Sequence, residues 1–196
     1  MEHAATPNWS VIGLTEAHTE ALVEHYMQLS QDDLRFRFFV GLPRTTERRR
    51  ECMTDMVNGM FERKVAEQLG IVDPSDGKAL IGVACWGRCS KDPKIADFGV
   101  SVVPAWRGKG LTEALVDQAC TDAVQAGCTT MRVGFLYDNT AVQRLLWRLN
   151  QLLPLNWTQD SATVSLQPYA EEVRRQLGLL AALLEVVDQS RASAKL

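Results

Sequence analysis

A turn with two glycines, between an extended segment and an amphipathic one, is the part of this sequence best suited to chemistry. Residues 102–112 read Val-Val-Pro-Ala-Trp-Arg-Gly-Lys-Gly-Leu-Thr, and a helical pattern begins at Leu111. The first turn of a helix presents backbone N–H groups that no helical carbonyl accepts, and the helix dipole favours negative charge there. Gly108 and Gly110 lack the side chains that would keep an anion from the backbone. The sequence therefore predicts a phosphate-binding turn, with an ordinary strand–helix junction as the alternative.

Two familiar glycine motifs do not fit this turn. A P-loop requires a glycine four residues before Gly-Lys-Ser/Thr, and no glycine stands at that distance before Gly108 and Lys109. A dinucleotide-binding turn requires a third glycine, and Glu113 occupies its position. Both nucleotide-binding classes are excluded.

The spacing Arg107-x-x-Gly110-x-Thr112 resembles motif A of the GNAT superfamily of acetyl-CoA-dependent N-acetyltransferases. That motif has Arg or Gln, two residues, Gly, one residue, and then Gly or Ala, so Thr112 departs from it at the last position. Residues 96–100 are similar to the family's fourth strand, and residues 137–141 to the end of its fifth. Residues 29–39 resemble a stretch of the acetyltransferase domain of Pat-type protein lysine acetyltransferases. These similarities run in the family's order along the chain.

The resemblance implies how acetyl-CoA would be held. Val102 and Val103, at the end of the fourth strand, would pair through their backbone with the pantetheine arm and polarise the acetyl carbonyl. Asn139 would steady that arm near the sulfur or cap the next helix, and its residue type suits both roles. The pyrophosphate would bind the backbone N–H groups of the turn, which belong to Arg107, Gly108, Lys109, Gly110, Leu111 and Thr112.

Asp97 is the candidate general base. A carboxylate inside a strand is depleted unless it is exposed, paired or used, and in Pat-like domains a glutamate at the matching position acts as the base. Aspartate is one methylene shorter, which favours a relay through water; a surface salt bridge is the structural alternative. The family reaction is direct attack by the amine in a ternary complex, so neither a nucleophilic side chain nor a metal is expected. The tyrosine that protonates the thiolate in many relatives is missing from residues 145–147, as in Pat-like domains.

Apolar periodicity predicts the elements that position these residues. Helices are predicted from Thr15 to about residue 29, around Cys52 to Val57, from Leu111 to the stop at Gly127, and at 139–149. His25 is expected to be packed rather than a base, and Phe36, Phe38 and Phe39 to be core-forming. Strands are predicted at 9–14, 65–72, 79–88, 95–103, 131–137, 152–157 and 162–166, with a hairpin turn at 74–77. The order β-α-α-β-β-β-α-β-α-β-β predicts an α/β fold of GNAT type, with a mixed sheet and helices on both faces.

Composition limits the possible functions. The 196 residues suit one domain at 8–168, with a tail at 1–7 and a C-terminal helix and tail at 169–196. A net charge of −3 provides no basic surface for nucleic acid. No signal peptide and no apolar run of membrane-spanning length are evident, so a cytoplasmic protein without a membrane partner is expected. The five cysteines have no metal-binding spacing and are expected to be reduced thiols.

Two questions stay open from the sequence. The acceptor is a protein lysine or a small-molecule amine, and Asp32, Asp33 and Asp97 hint at an acidic acceptor groove. The alternative to an enzyme is a non-catalytic, acetyl-CoA-binding sensor module, which the departures from the family motifs would suit. The apolar stripe of the helix predicted at 169–189 favours packing on the domain and a homodimer.

Overall fold

A computed structural model describes residues 9–64, 66–139, 143 and 155–166. Seven strands and four α-helices follow one another along this part of the chain. No helix among the described residues is long and apolar enough to cross a membrane. The elements are β1 Val11–Gly13, α1 Thr19–Met27, α2 Gln31–Phe38, α3 Thr46–Arg63, β2 Glu67–Val72, β3 Leu80–Arg88, β4 Ile95–Val102, α4 Leu111–Gln125, β5 Thr130–Gly134, β6 Asn156–Trp157 and β7 Ser161–Ser165, with 3₁₀ turns at Glu16–His18 and Pro104–Trp106.

The strands form one mixed sheet in the order β1-β2-β3-β4-β5-β7-β6. Neighbours pair antiparallel from β1 to β4, and β4 pairs parallel with β5 across the crossover through α4. A parallel pair requires such a crossover, because a tight turn can join only antiparallel strands. The predicted α/β class and the seven strands are confirmed.

Helices cover both faces of the sheet. On one face α4 packs through Leu111, Leu115 and Ala119 against β2, β3 and β4. On the other, α1, α2 and α3 form a second core with Leu80 and Val83 of β3. Strand β3 therefore contributes side chains to both cores, and its interior residues are nearly all apolar.

The predicted turns form as expected. Gly127 ends α4 in the left-handed conformation, with φ of 87°, and the N–H of Cys128 donates to the carbonyl of Ala123. This is the hydrogen-bonding pattern of a glycine-terminated helix. In the β2–β3 hairpin Gly77 has φ of 69° and its N–H donates to Asp73.

The segment between β1 and β2 differs from the sequence expectation. It contains three α-helices rather than two, because Ser30 caps an additional helix, α2, by accepting the N–H of Asp33. The single helix expected from Thr15 begins instead as a 3₁₀ turn. Phe39, expected in the core, is 49% exposed and is the C-cap of α2, in the left-handed conformation. The helices predicted at 139–149 and 169–189 lie outside the described residues, apart from positions 139 and 143.

His25 is a buried polar residue of α1 that bonds to two strands. Its Nδ1 lies 2.9 Å from the carbonyl oxygen of Leu80, and its Nε2 lies 2.8 Å from the hydroxyl of Ser101. In the neutral ring Nδ1 donates and Nε2 accepts, because a carbonyl can only accept. Burial lowers the pKa of His25 to about 4, although the hydrogen bond to Leu80 opposes this shift. His25 is packed, as predicted, and it ties α1 to β3 and β4.

We expect acid to destabilise the protein through His25 between pH 6.5 and about 4. In this window the unfolded chain binds a proton on His25 whereas the folded protein keeps it neutral, so lowering the pH favours unfolding. At roughly 1.4 kcal/mol per pKa unit, the loss is about 3 kcal/mol. Urea unfolding at several pH values should show a smaller loss in His25→Gln than in the wild type. An equal loss in both proteins would contradict the assignment.

Candidate active site

Strand β4 extends past the end of its parallel neighbour β5. The parallel pairing of β4 with β5 ends at Phe98 and Val133, whereas β4 extends to Val102 and stays paired with β3 throughout. No described strand pairs with residues 99–102 on the side away from β3. We call this side the β4 edge.

The alternation of β4 decides which backbone groups face this edge. The N–H of Val103 donates to the carbonyl of Ile81 on β3, so odd-numbered residues direct their backbone groups towards β3. Val100 and Val102 therefore direct theirs towards the β4 edge. Val103, predicted to pair with pantetheine, has its N–H on Ile81 and its carbonyl on the N–H of Trp106. The backbone of Val103 is therefore not open towards the β4 edge, contrary to that prediction, whereas Val100 faces this edge together with Val102.

The predicted phosphate turn follows directly from β4. After the 3₁₀ turn at Pro104–Trp106, Gly108 and Gly110 adopt left-handed conformations with φ of 74° and 84°. Gly110 is the N-cap of α4 and, as a glycine, contributes no side-chain cap of its own. The side chain of Lys109 turns back over the Trp106 ring, with Nζ 4.4 Å from the ring centre. The turn therefore presents a helix start with a positive dipole beside the end of β4.

The side chain of Arg107 binds two parts of the protein. Its Nε donates to the carbonyl of Val102 at 3.2 Å, and its Nη2 donates to the Asp33 carboxylate at 3.0 Å. Asp33 also accepts from the N–H and hydroxyl of Ser30. Burial opposes the charged form of Asp33, but the hydrogen bonds from Ser30 and Arg107 outweigh it and lower the pKa of this carboxyl. Asp33 thus fixes α2 to the turn. The hypothesis of an acidic acceptor groove required Asp33 to be a free acidic group, and it is not one.

Helix α2 also contacts the end of β5. Arg35 forms an ion pair with Asp138, four residues beyond that strand, and the Phe39 ring lies over Gly134, where an added Cβ would be 3.3 Å from Cζ. Since α2 is attached at one end to the turn after β4 and at the other to the end of β5, it spans the region beside the β4 edge.

Asp97, the candidate base, forms an ion pair across β4 and β5. Its carboxylate accepts from Nε and Nη2 of Arg132 at 2.5 and 2.7 Å, and the two residues are register partners. The hydrogen bonds with Asp97 raise the pKa of Arg132 above its usual value. The salt bridge anticipated as the structural alternative is therefore present. Asp97 is nevertheless half-exposed and lies on the same face of β4 as Gly99.

Asn139 lies where the chain leaves β5. It is buried, its N–H donates to the carbonyl of Leu136, and its own carbonyl accepts the N–H of Gln143. A bond from residue 143 to residue 139 has helical spacing, which agrees with the predicted cap. The role of its side chain towards a cofactor stays a prediction.

Several residues of this region were not identified from the sequence. Val100 could have been found from the period of two along β4, which pairs it with Val102. The two ion pairs of α2, in contrast, could not have been found, because each joins residues far apart in the sequence that no local pattern connects. These pairs are Asp33–Arg107 and Arg35–Asp138.

The same architecture occurs in solved acetyltransferase structures. The GNAT domain of S. lividans PAT is 17% identical and has a TM-score of 0.60, covering 79% of this chain and 88% of that one. The putative acetyltransferase yncA from Salmonella typhimurium, solved with its cofactor acetyl-CoA, is 17% identical with a TM-score of 0.58, covering 84% and 97%. The ribosomal-protein-S5-alanine acetyltransferase from Vibrio fischeri is 13% identical with a TM-score of 0.51, covering 82% and 92%. At these identities the similarity shows the fold. Comparison with curated protein sequences gave no match.

The described mixed sheet, whose fourth strand extends past its parallel neighbour and leads into a glycine turn, has the fold of these acetyltransferase structures. The profile of the Acetyltransferase (GNAT) family matches residues 23–150, which is well over half of the sequence. The chain belongs to this family, as the motif at residues 107–112 predicted.

Proposed function

We propose that the protein transfers the acetyl group of acetyl-CoA to a primary amine, of a small molecule or of a protein lysine, by direct attack in a ternary complex. The observation that carries this proposal is that the β4 edge leads directly into the glycine turn at the start of α4. One continuous segment thus offers backbone groups for the pantetheine arm and a helix start for the pyrophosphate.

Each part of the cofactor has a place in this proposal. The pyrophosphate lies on the backbone of residues 107–112, where the left-handed glycines allow close approach. The pantetheine arm runs along Val100 and Val102 like an additional strand, and their backbone polarises the acetyl carbonyl. Asn139 steadies the arm near the sulfur or caps the following helix.

The reaction exchanges a carbon–sulfur bond for a carbon–nitrogen bond, and the acceptor nitrogen loses two protons. The protonated amine gives the first proton to Asp97 through water, and the neutral nitrogen then attacks the thioester carbon. As the carbon–sulfur bond breaks, the nitrogen gives its second proton to solvent, and CoA leaves as a thiolate that takes a proton from solvent. The β4 edge begins at Gly99, which lies on the same face as Asp97, two residues and about 7 Å farther along the strand. At this distance a relay through water between Asp97 and the amine is more suitable than direct contact. Arg132 orients the Asp97 carboxylate through its two hydrogen bonds.

An amine panel tests the activity. Purified protein should release CoA from acetyl-CoA in proportion to added amine, with the acetylated amine identified by mass spectrometry. Stabilisation by acetyl-CoA in a thermal unfolding assay should accompany this release. Stabilisation without release of CoA for any small amine or lysine peptide would contradict the enzyme and favour the sensor module.

We also propose that the C-terminal segment at 169–189 contributes to a homodimer. The support is its repeated apolar pattern, which buries well only against another surface. Light scattering should give the mass of a dimer for the full chain and of a monomer for a chain ending at Pro168. A full-length monomer would contradict this proposal.

A further inference from the structure

Arg37 lies on α2 with its guanidinium against the start of the β4 edge. A Cβ added to Gly99 would be only 2.6 Å from Nη1 of Arg37, so the guanidinium rests directly on the strand. Its Nη2 donates to Sγ of Cys85 on β3 at 2.9 Å. Gly99 is the first residue after the last pair between β4 and β5. The positive charge therefore sits where the parallel pairing ends, on the face covered by α2.

This cation has no carboxylate partner within the described part of the chain. The other arginines around the site each have one, in the pairs Arg35–Asp138, Arg107–Asp33 and Arg132–Asp97. Among the described neighbours of Arg37 the hydrogen-bond acceptor is the sulfur of Cys85, which is a weak one. A half-buried guanidinium held in this way lacks the anion that normally offsets loss of hydration.

The polar groups beside Arg37 supply no negative charge. Tyr26 is fully buried next to it. Burial raises the pKa of Tyr26 to about 12, and the nearby Arg37 charge opposes this only in part, so the phenol keeps its proton and stays neutral. His25, the next polar group, uses both ring nitrogens on Leu80 and Ser101. The cluster thus holds a positive charge and lacks an anion among the described residues.

We propose that Arg37 binds a carboxylate of the acetyl acceptor, which makes the acceptor a free amino acid or a small amine with a carboxylate close to its amino group. This inference rests on the proposed function, because it places the acceptor at the site of acetyl transfer. A guanidinium binds a carboxylate through charge-assisted N–H···O bonds.

The distances along β4 suit this class of acceptor. The carboxylate would lie against the Arg37 guanidinium, which covers Gly99, and the acetyl carbonyl would lie beside Val100 and Val102, roughly 3 to 10 Å farther along the strand. In an α-amino acid a single carbon separates the amino group from the carboxylate, so its nitrogen would face the near part of that range. A lysine within a polypeptide carries amides near its side chain instead of a carboxylate and would leave Arg37 unpaired.

Matched pairs of acceptors test this inference. Leucine, methionine and phenylalanine should each be acetylated with kcat/KM at least about 100-fold above that of the amine that lacks the carboxylate. In Arg37→Gln this ratio should fall close to one, mainly through a higher KM for the amino acid. Arg48→Gln removes an equal charge from the exposed face of α3 and should keep the wild-type ratio. Equal rates for the two members of each pair in the wild type, or an unchanged ratio in Arg37→Gln, would overturn the inference.

A second variant and a binding measurement guard against a folding defect and against inactivity. Gly99→Ala keeps Arg37 but places a methyl group where its guanidinium lies, so it should lower the same ratio. Calorimetry with CoA-loaded protein should detect binding of N-acetyl-leucine but not of N-acetyl-isopentylamine, and Arg37→Gln should lose the difference. If no amine is acetylated, the proposed function fails, and this binding comparison still decides whether the carboxylate site exists. Equal binding of both compounds would overturn it.

Discussion

Replacing Gly110 by tryptophan is expected to abolish the stabilisation of the protein by acetyl-CoA. Gly110 has φ of 84° and caps α4, so a large side chain there both strains the backbone and covers the N–H groups of the first turn. At a concentration about 100 times Kd, a ligand stabilises by about 2.7 kcal/mol, which for a chain of this size raises the melting temperature by roughly 5 to 10 °C. We expect that rise in the wild type and almost none in Gly110→Trp.

The same substitution at Gly77 is the matched control. Gly77 also has positive φ, of 69°, with open space around it, but it lies in the β2–β3 hairpin. Gly77→Trp should therefore lose stability through backbone strain and keep the full rise with acetyl-CoA. A normal rise in Gly110→Trp, or an equal loss of the rise in both variants, would show that the turn does not hold the cofactor.

Replacing Asp97 by asparagine is expected to lower kcat by about 100-fold or more at neutral pH while leaving acetyl-CoA binding unchanged. General base catalysis contributes roughly 100- to 10,000-fold, and an amide cannot accept the proton. The deficit should shrink as the pH rises, because a growing fraction of the amine is then deprotonated by solvent. The pH dependence of kcat for both proteins, with thermal stabilisation by acetyl-CoA, measures this.

Arg132→Gln distinguishes a base from a partner in an ion pair. It breaks the same two hydrogen bonds but keeps the Asp97 carboxylate. If Asp97 is the base, Arg132→Gln should retain most of the turnover, and the two variants should differ strongly. Equal losses of turnover that follow equal losses of unfolding free energy would assign Asp97 to the sheet alone.

The sequence was most informative where a local pattern determines a local structure. The strand β4, the glycine stop at Gly127 and the helical period of α4 each depend on a few neighbouring residues, and each was predicted correctly. The extra helix α2 was missed because its residues are mostly polar and charged and give little apolar period. Its cap at Ser30, with Asp33 three residues later, is a local signal that could have revealed it.

The arrangement around the site could not be read in the same way. Arg37 stands between Phe36 and Phe38 in sequence, which suggests only a half-buried helix, and its position on Gly99 depends on how α2 lies on the sheet. The partner of Asp97 depends on the register between β4 and β5, which a parallel crossover does not fix locally. Likewise, the backbone N–H of Val103 faces β3 rather than the β4 edge because it bonds to Ile81, which its residue type does not indicate.

The alternation of β4 also limits how the protein can be altered by insertion or deletion. From Gly99 to Val102 the backbone groups of even residues face the β4 edge and those of odd residues face β3. The side chain of Val102 packs with the α4 core, whereas position 99 faces Arg37 of α2. Removing one residue there would exchange both assignments at once, placing Arg37 opposite the wrong side chain and reversing the backbone groups at the edge. Length changes in this segment are therefore tolerable only in steps of two, so an engineered or natural variant of odd length would have to absorb the difference in a bulge.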